Sequence, residues 1–238
     1  AAALDVAMLK RSIELVRTGK QSEASEVRKT ISDPAAKKLL EWVILRSDDS
    51  GSEFSRYVAF ISANSNWPSI VTLRRKAEAT AFQDRPDASS VEAYFRQWPP
   101  LSAKGKFAYA RALLTRGDRK SAEAMIRDCW RNDGFSQEVE SRVYEAFSDM
   151  LTRADHKARM DRRLYEKDDS EAGLRAAQRL AERGLAGVVG VVGIIDELVD
   201  HRVLLGDRLV RVDEHDGDLR LLQRRLGAQR GVEVGAAG

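Results

Sequence analysis

The 238 residues include 32% charged and 7% aromatic side chains, and the formal net charge is +3. This composition favours a helical, solvated protein over a sheet-rich core, and the length allows one or two domains with a sizeable buried surface. There are 33 basic and 28 acidic residues up to Arg183 and 7 and 9 after it. No dense basic patch results, so we do not expect nucleic acid as a partner. No apolar run approaches the ~20 residues of a membrane-spanning helix.

Apolar residues recur at helical spacing along the first 150 residues. The spacing predicts helices over 4–16, 22–31, 34–46, 54–63, 68–82, 88–97, 102–116, 120–131 and 136–150. Gly19 is suited to end the first of these helices, and Asp33 followed by Pro34 is a typical start for the third.

A helical pair recurs about every 33 residues, close to the ~34 residues of tetratricopeptide repeats. Residues 110–122, ARALLTRGDRKSA, resemble half of that motif. A lone amphipathic pair cannot bury its apolar face, so neighbouring pairs must stack. The predicted fold class is all-α, an α-solenoid or superhelix of stacked helical hairpins over residues 1–182.

Residues 151–180 predict the last hairpin. Thr152 and Asp155 have the spacing of a capping box at a helix start. An apolar stripe follows, made of Ala158, Met160, Leu164 and Tyr165, before the charged break at 167–170. The next helix is predicted to carry Leu174, Ala177 and Leu180 on one face and Arg175 and Arg179 on another.

The amino-acid sequence of this hairpin resembles the helical N-terminal region of soluble lytic murein transglycosylases. The matching positions are Leu151, Thr152, Ala154, Asp155, His156, Arg159, Asp161 and Leu164. Residues 33–43 and residues 60–75, around Asn66-Trp67-Pro68, resemble the same family. The resemblance covers roughly residues 1–182, and its motifs are structural.

The resemblance implies a periplasmic location. It also implies a role in non-hydrolytic cleavage of the β-1,4 bond between N-acetylmuramic acid and N-acetylglucosamine, which leaves an anhydro product. In that family a separate C-terminal domain carries one acid/base glutamate in a Glu-Ser-x-Phe setting, followed by Gly-Leu-Met-Gln and Tyr-Asn-Ala-Gly motifs. Glu140-Ser141-Arg142-Val143 is the nearest lookalike, and it lacks the phenylalanine and both later motifs. We interpret Glu140 as a solvated helix carboxylate. We therefore expect no catalytic residue and no activity from this chain alone.

Other candidate sites have simpler interpretations. Asp155 and His156 could form an acid/base pair, but helix capping with an inter-helix hydrogen bond is favoured because no nucleophile lies beside them. Cys129, the single cysteine, cannot form an internal disulfide and is interpreted as a small buried apolar residue. The four tryptophans could stack on sugars, but anchoring between repeats is favoured. They are Trp42, Trp67, Trp98 and Trp130.

Residues 183–238 form a predicted low-complexity tail. Ten of the sixteen glycines lie there, and no Lys, Ser, Thr, Asn, Pro, Cys, Met or aromatic residue follows Ser170. The glycine spacing at 187–193 does not fit a dinucleotide fingerprint, and a hairpin is predicted around residues 213–218. His201, His215 and the acids of 213–218 could bind a metal, but their spacing matches no calcium loop and favours a solvated acidic turn. We therefore expect no metal and no cofactor. The abrupt change suggests a tail foreign to the family, such as an out-of-frame translation.

Two functional hypotheses remain. In the first, the chain is the non-catalytic helical region of a periplasmic lytic transglycosylase and scaffolds peptidoglycan glycan strands for a catalytic domain. In the second, it is a free-standing helical-repeat adaptor that binds a protein on its concave surface. The chain begins at Ala1 without a signal-peptide pattern, so we expect a mature form or a fragment.

Overall fold

The computed structural model describes residues 2–48, 50–165 and 170–182. All regular secondary structure in these residues is helical, so the all-α prediction is confirmed for them. The helices are α1 (Ala2–Arg17), α2 (Gln21–Thr30), α3 (Pro34–Arg46), α4 (Phe54–Ala63), α5 (Ile70–Asp84), α6 (Ala88–Gln97), α7 (Ala103–Thr115), α8 (Arg119–Asn132), α9 (Gln137–Phe147), α10 (Arg153–Tyr165) and α11 (Ser170–Glu182), with a 3₁₀ turn at Ser148–Met150. The solenoid arrangement stays a prediction.

The chain divides into two compact units, residues 1–129 and residues 130–238. Helix α8 begins in the first unit, and its last three residues belong to the second. The predicted boundary after residue 182 stays a prediction. The tail beyond it, with His201, His215 and the 213–218 turn, lies outside the described residues.

In the first unit, helices pack both within pairs and onto the helix two places further along the chain. α4 packs on α5 and α6 on α7, while α1 also contacts α3, and α5 contacts α7. One apolar cluster joins the first three helices and consists of Val16, Ala24, Ile31, Leu40 and Ile44. Stacked hairpins require contacts like those between α1 and α3 and between α5 and α7.

Buried carboxylates connect an odd-numbered helix to the start of the next odd-numbered one. Asp5 in α1 accepts hydrogen bonds from the backbone N–H groups of Ser32 and Asp33, at 3.0 and 3.1 Å, just before α3. A carboxylate at a helix start meets amides that have no partner inside the helix and the positive end of the helix dipole.

Glu78 in α5 does the same for α7. It is fully buried, and it accepts hydrogen bonds from the Leu101 N–H at 2.8 Å and from the Ser102 hydroxyl. The Ser102 oxygen in turn accepts from the N–H of Gly105 at 3.1 Å and caps the helix. The start of α7 is therefore built partly from a side chain of α5.

Gly105 leaves the room that Glu78 occupies. A Cβ at this position would overlap the carboxylate of Glu78. We therefore expect Gly105→Ala to destabilise the first unit by about 1–3 kcal/mol through overpacking, although alanine normally favours a helix interior by about 1 kcal/mol over glycine. Urea denaturation measures the change. Lys104→Ala, on the exposed side of the same turn, is the matched control, and an equal effect of the two substitutions would contradict the steric explanation.

The helix starts follow local signals closely, with one informative error. Asp33 caps α3 as predicted and accepts a hydrogen bond from the Ala36 N–H at 2.7 Å. Helix α5, however, begins at Ile70 rather than at Pro68, and Ser69 before it has a left-handed backbone with φ 62°. Pro68 is held in the preceding turn because its carbonyl oxygen accepts a hydrogen bond from Trp42 Nε1 at 2.8 Å.

In the second unit, α10 packs on α11. Their shared core consists of Met160, Ala176, Ala177 and Leu180, with Leu164 packed against it, which confirms four of the predicted apolar positions. The helices approach closely at Gly173, where a Cβ would lie 2.9 Å from the Leu164 side chain. Within the described part of the chain, no helix is long and apolar enough to cross a membrane.

Candidate functional site

Two Trp-Pro turns of the first unit have the same construction. Trp67-Pro68 precedes α5, and Trp98-Pro99 precedes α7. The carbonyl oxygen of each proline accepts a hydrogen bond from an earlier odd-numbered helix, from Trp42 of α3 in the first turn and from Arg74 of α5 in the second. The two turns therefore share a carbonyl contact to an earlier helix, although the donor is an indole in the first and a guanidinium in the second.

A cation of the same earlier helix lies over each indole. Lys38 Nζ is 5.3 Å from the centroid of the Trp67 ring, and the Arg74 guanidinium is 5.3 Å from that of Trp98. Trp42 has the same kind of partner, since the Arg46 guanidinium is 4.4 Å from its ring centroid. All three distances are within the range of cation–π attraction.

These three tryptophans are half-buried. Trp67 rests edge-on against Phe60, with 6.3 Å between ring centroids. The prediction that the tryptophans anchor the repeats stays a prediction for these three. We call the two Trp-Pro turns, together with Lys38, Trp42, Arg46 and Arg74, the Trp-Pro edge.

The positive charge of the Trp-Pro edge has no carboxylate partner within the part of the chain that the structure describes. The three cations concerned are Lys38, Arg46 and Arg74. The neighbouring Glu41 is engaged elsewhere, because it receives two hydrogen bonds from Arg56, at 2.6 and 2.8 Å. Lys38 and Arg46 are exposed beside aromatic rings and form a surface suited to an anionic ligand with an apolar face. The Arg74 guanidinium is engaged with the Pro99 carbonyl.

Glu140 lies in the second unit, and the expectation that it is solvated is wrong. Its side chain is fully buried and receives hydrogen bonds from Arg159 at 3.3 Å, from Arg175 at 3.1 Å and from Arg179. Burial alone would raise the pKa of Glu140, but the three guanidinium groups outweigh burial and lower the pKa below its ordinary value. An acid that protonates a glycosidic oxygen needs a raised pKa and access to the sugar, and Glu140 has neither.

Aromatic rings surround the excess positive charge of this cluster. Arg159 lies over Trp130 and Phe135, with 5.0 and 4.1 Å from the guanidinium carbon to the ring centroids. Arg179 lies 4.8 Å from the centroid of Tyr144. Three guanidinium groups around one buried carboxylate leave a surplus of positive charge. Cation–π contacts compensate part of the cost of desolvating these guanidinium groups. The cluster therefore connects α8, α9, α10 and α11.

The helix-capping interpretation of Asp155 is confirmed. Asp155 Oδ2 accepts hydrogen bonds from the Thr152 N–H at 2.7 Å and from the Thr152 hydroxyl at 2.6 Å. Burial favours a raised pKa for Asp155, but the hydrogen bonds from Thr152 and the nearby Arg131 lower it. His156 is fully buried and packs edge-on against Trp130, with ring centroids 5.6 Å apart. Neither residue is placed for acid/base chemistry on a ligand.

Cys129 is buried, as predicted. Trp130 is fully buried as well, and its interpretation as a core anchor is confirmed. No group of three or more His, Cys, Asp or Glu side chains suited to a metal ion occurs among residues 2–48, 50–165 and 170–182.

Comparison with family models, with curated proteins and with solved structures found no match to this chain.

The Trp-Pro edge is the candidate site, and the sequence analysis identified its rings but not its cations. Lys38 and Arg74 precede their tryptophans by most of a repeat, so local spacing gives no indication of the contact. The available signal was the Trp-Pro dipeptide itself, which occurs at residues 67–68 and again at 98–99.

Proposed function

We propose that the chain is the non-catalytic helical region of a lytic transglycosylase that acts in the periplasm, and that it holds peptidoglycan glycan strands for a catalytic domain. The observation that carries the proposal is the Trp-Pro edge, where the half-buried indoles of Trp67 and Trp42 lie beside the exposed cations Lys38 and Arg46. Indoles offer a flat apolar face to a sugar ring, and cations attract the carboxylates of the stem peptides and of muramic acid residues that carry no peptide.

The Glu140 cluster supports the non-catalytic part of the proposal. The lookalike of the family's acid/base glutamate is fully buried among arginines, and its pKa is lowered rather than raised. The resemblance of residues 1–182 to the helical region of soluble lytic murein transglycosylases supplies the substrate. The contacts between α1 and α3, and between α5 and α7, agree with stacked hairpins.

We expect the purified chain to co-sediment with peptidoglycan sacculi and to release no anhydro-muropeptides. A sacculus pull-down combined with chromatography of the soluble fraction measures both. Release of anhydro-muropeptides would overturn the non-catalytic role. Absence of binding would overturn the glycan scaffold and favour the protein-binding adaptor.

A further inference from the structure

Helix α3 carries two exposed cations along one side, with a half-buried indole between them. Lys38, Trp42 and Arg46 follow one another at intervals of four residues, so they lie along one face of the helix. The helix rises about 12 Å from Lys38 to Arg46, and this is the distance along the axis between the backbones of the two cations. The rest of α3 packs into the unit through its buried residues, which are Leu40, Glu41, Ile44 and Leu45.

The turn before α5 extends this surface. The centroid of the Trp67 ring lies 5.3 Å from Lys38 Nζ, and that of the Trp42 ring lies 4.4 Å from the Arg46 guanidinium. Pro68 is exposed, and its carbonyl oxygen accepts the hydrogen bond from Trp42 Nε1 at 2.8 Å. We call Lys38, Trp42, Arg46, Trp67 and Pro68 the α3 strip. The strip has a cation–indole pair at each end, and the hydrogen bond between Trp42 and Pro68 links the two pairs.

The middle of the α3 strip is apolar. The indole N–H of Trp42 and the carbonyl of Pro68 are bonded to each other. Proline has no backbone N–H, and the backbone N–H of Trp42 lies inside α3, so these two residues present no donor to a ligand. Sugar hydroxyls that leave water need hydrogen-bond partners, whereas apolar side chains need none. This part of the strip therefore suits an apolar side chain better than the hydroxyl-bearing edge of a sugar.

The ends of the α3 strip suit two carboxylates. Within the residues that the structure describes, neither Lys38 nor Arg46 pairs with a carboxylate of the chain. Arginine offers a planar fork of donors that matches a carboxylate, and lysine offers a compact charge. An extended peptide spans about 3.3–3.6 Å per residue, so three or four residues cover the roughly 12 Å between the cations. A matching ligand is therefore a short extended peptide with a carboxylate on each side of an apolar part.

We propose that the α3 strip binds one short, extended acidic peptide, with one carboxylate at Lys38, one at Arg46 and an apolar side chain on Trp42 and Pro68. This inference rests on the proposed function and names the group that is bound, the stem peptide of peptidoglycan. The glycan strand is then held through its peptides, and its sugars stay accessible to a catalytic domain. Both carboxylates belong to one peptide, so the second contact is intramolecular and strengthens the first.

The test titrates the full chain with the two products of one amidase digestion of sacculi, the released stem peptides and the peptide-free glycan strands. We expect the peptides to bind about tenfold more tightly than the strands in titration calorimetry. Amidation of the peptide carboxylates should remove this difference, and added salt should weaken peptide binding. Equal or tighter binding of the strands would overturn the assignment to stem peptides and leave the proposed function intact. Failure of whole sacculi to co-sediment with the chain would overturn both.

Lys38→Gln and Arg46→Gln should each lower peptide affinity about fivefold, the upper range for an exposed ion pair. Both side chains are exposed, so thermal melts close to that of the unmodified chain separate loss of binding from loss of folding. Lys37→Gln is the matched control, because it removes the same charge from the same helix about 100° around the axis from Lys38. We expect Lys37→Gln to bind the peptide as the unmodified chain does. An equal loss in Lys37→Gln, or no loss in the Lys38→Gln/Arg46→Gln double variant, would overturn the α3 strip as the site.

Discussion

Glu140→Ala is expected to destabilise the second unit by about 3–5 kcal/mol, because it leaves a buried guanidinium without its counter-charge. Glu140 and Arg159 are both fully buried, and Arg175 and Arg179 approach the same carboxylate. Truncation removes the carboxylate that all three guanidinium groups contact. Amide hydrogen exchange measures the loss, because it localises the opening to peptides from α9 and α11.

Glu138→Ala is the matched control. Glu138 lies on the same helix, its side chain is 78% exposed, and its contact with Arg142 is long, at 3.9 Å. We expect a change within about 0.5 kcal/mol for this substitution. Similar losses from the two variants would mean that helix propensity, and not the buried charge, explains the effect.

The same carboxylate makes the stability of the second unit depend on pH. The pKa of Glu140 is lowered in the folded state, so its contribution to stability is complete above the unfolded pKa of about 4.3 and is lost as the pH falls through the folded pKa. Glu140→Gln removes this contribution, while Asp155, whose pKa is also lowered, remains. We therefore expect a shallower loss of unfolding free energy below about pH 4 in Glu140→Gln, measured by urea denaturation across that range. Parallel pH profiles would contradict the assignment.

Trp130→Ala is expected to have an effect of similar size, about 3–5 kcal/mol, because it opens a large cavity in a fully buried site. The indole packs against Phe135, Tyr144 and His156, with centroid distances of 5.9, 6.1 and 5.6 Å. It also covers the Arg159 guanidinium. Hydrogen exchange should detect lost protection in α10 as well as in α8.

Trp67→Ala provides the comparison from the first unit. Trp67 is only half-buried, so the lost apolar contact is smaller and we expect no more than half of the Trp130→Ala effect. The Trp67→Ala substitution should leave amide hydrogen exchange in α10 unchanged. A larger loss at Trp67 than at Trp130 would contradict the assignment of Trp130 to the core and of Trp67 to the surface.

Features that depend on neighbours in the sequence could be predicted. The Asp33 cap and the Thr152–Asp155 capping box each span three residues, and both form as expected. Helix α4 occupies the residues that its apolar spacing predicts. Short-range geometry determines these features, so the sequence is sufficient to locate them.

Features that depend on distant partners could not be predicted. Arg175 and Arg179 were placed on a different face from the apolar residues, and the local spacing gave no indication that both contact Glu140, 35 and 39 residues away. Glutamate side chains are usually exposed. Burial of Glu140 is energetically possible because three arginines from other helices pair with its carboxylate. The cations of the Trp-Pro edge were missed for the same reason.

The caps supplied by Asp5 and Glu78 give assembly of the first unit a direction. In both cases the carboxylate belongs to the earlier helix and the amides to the later one. During synthesis, α1 can fold before the start of α3 is made, and α5 before that of α7. α1 and α5 thus each present a carboxylate against which the start of α3 or of α7 forms. We expect nascent chains that end after α6 to be more ordered than fragments that begin at α6.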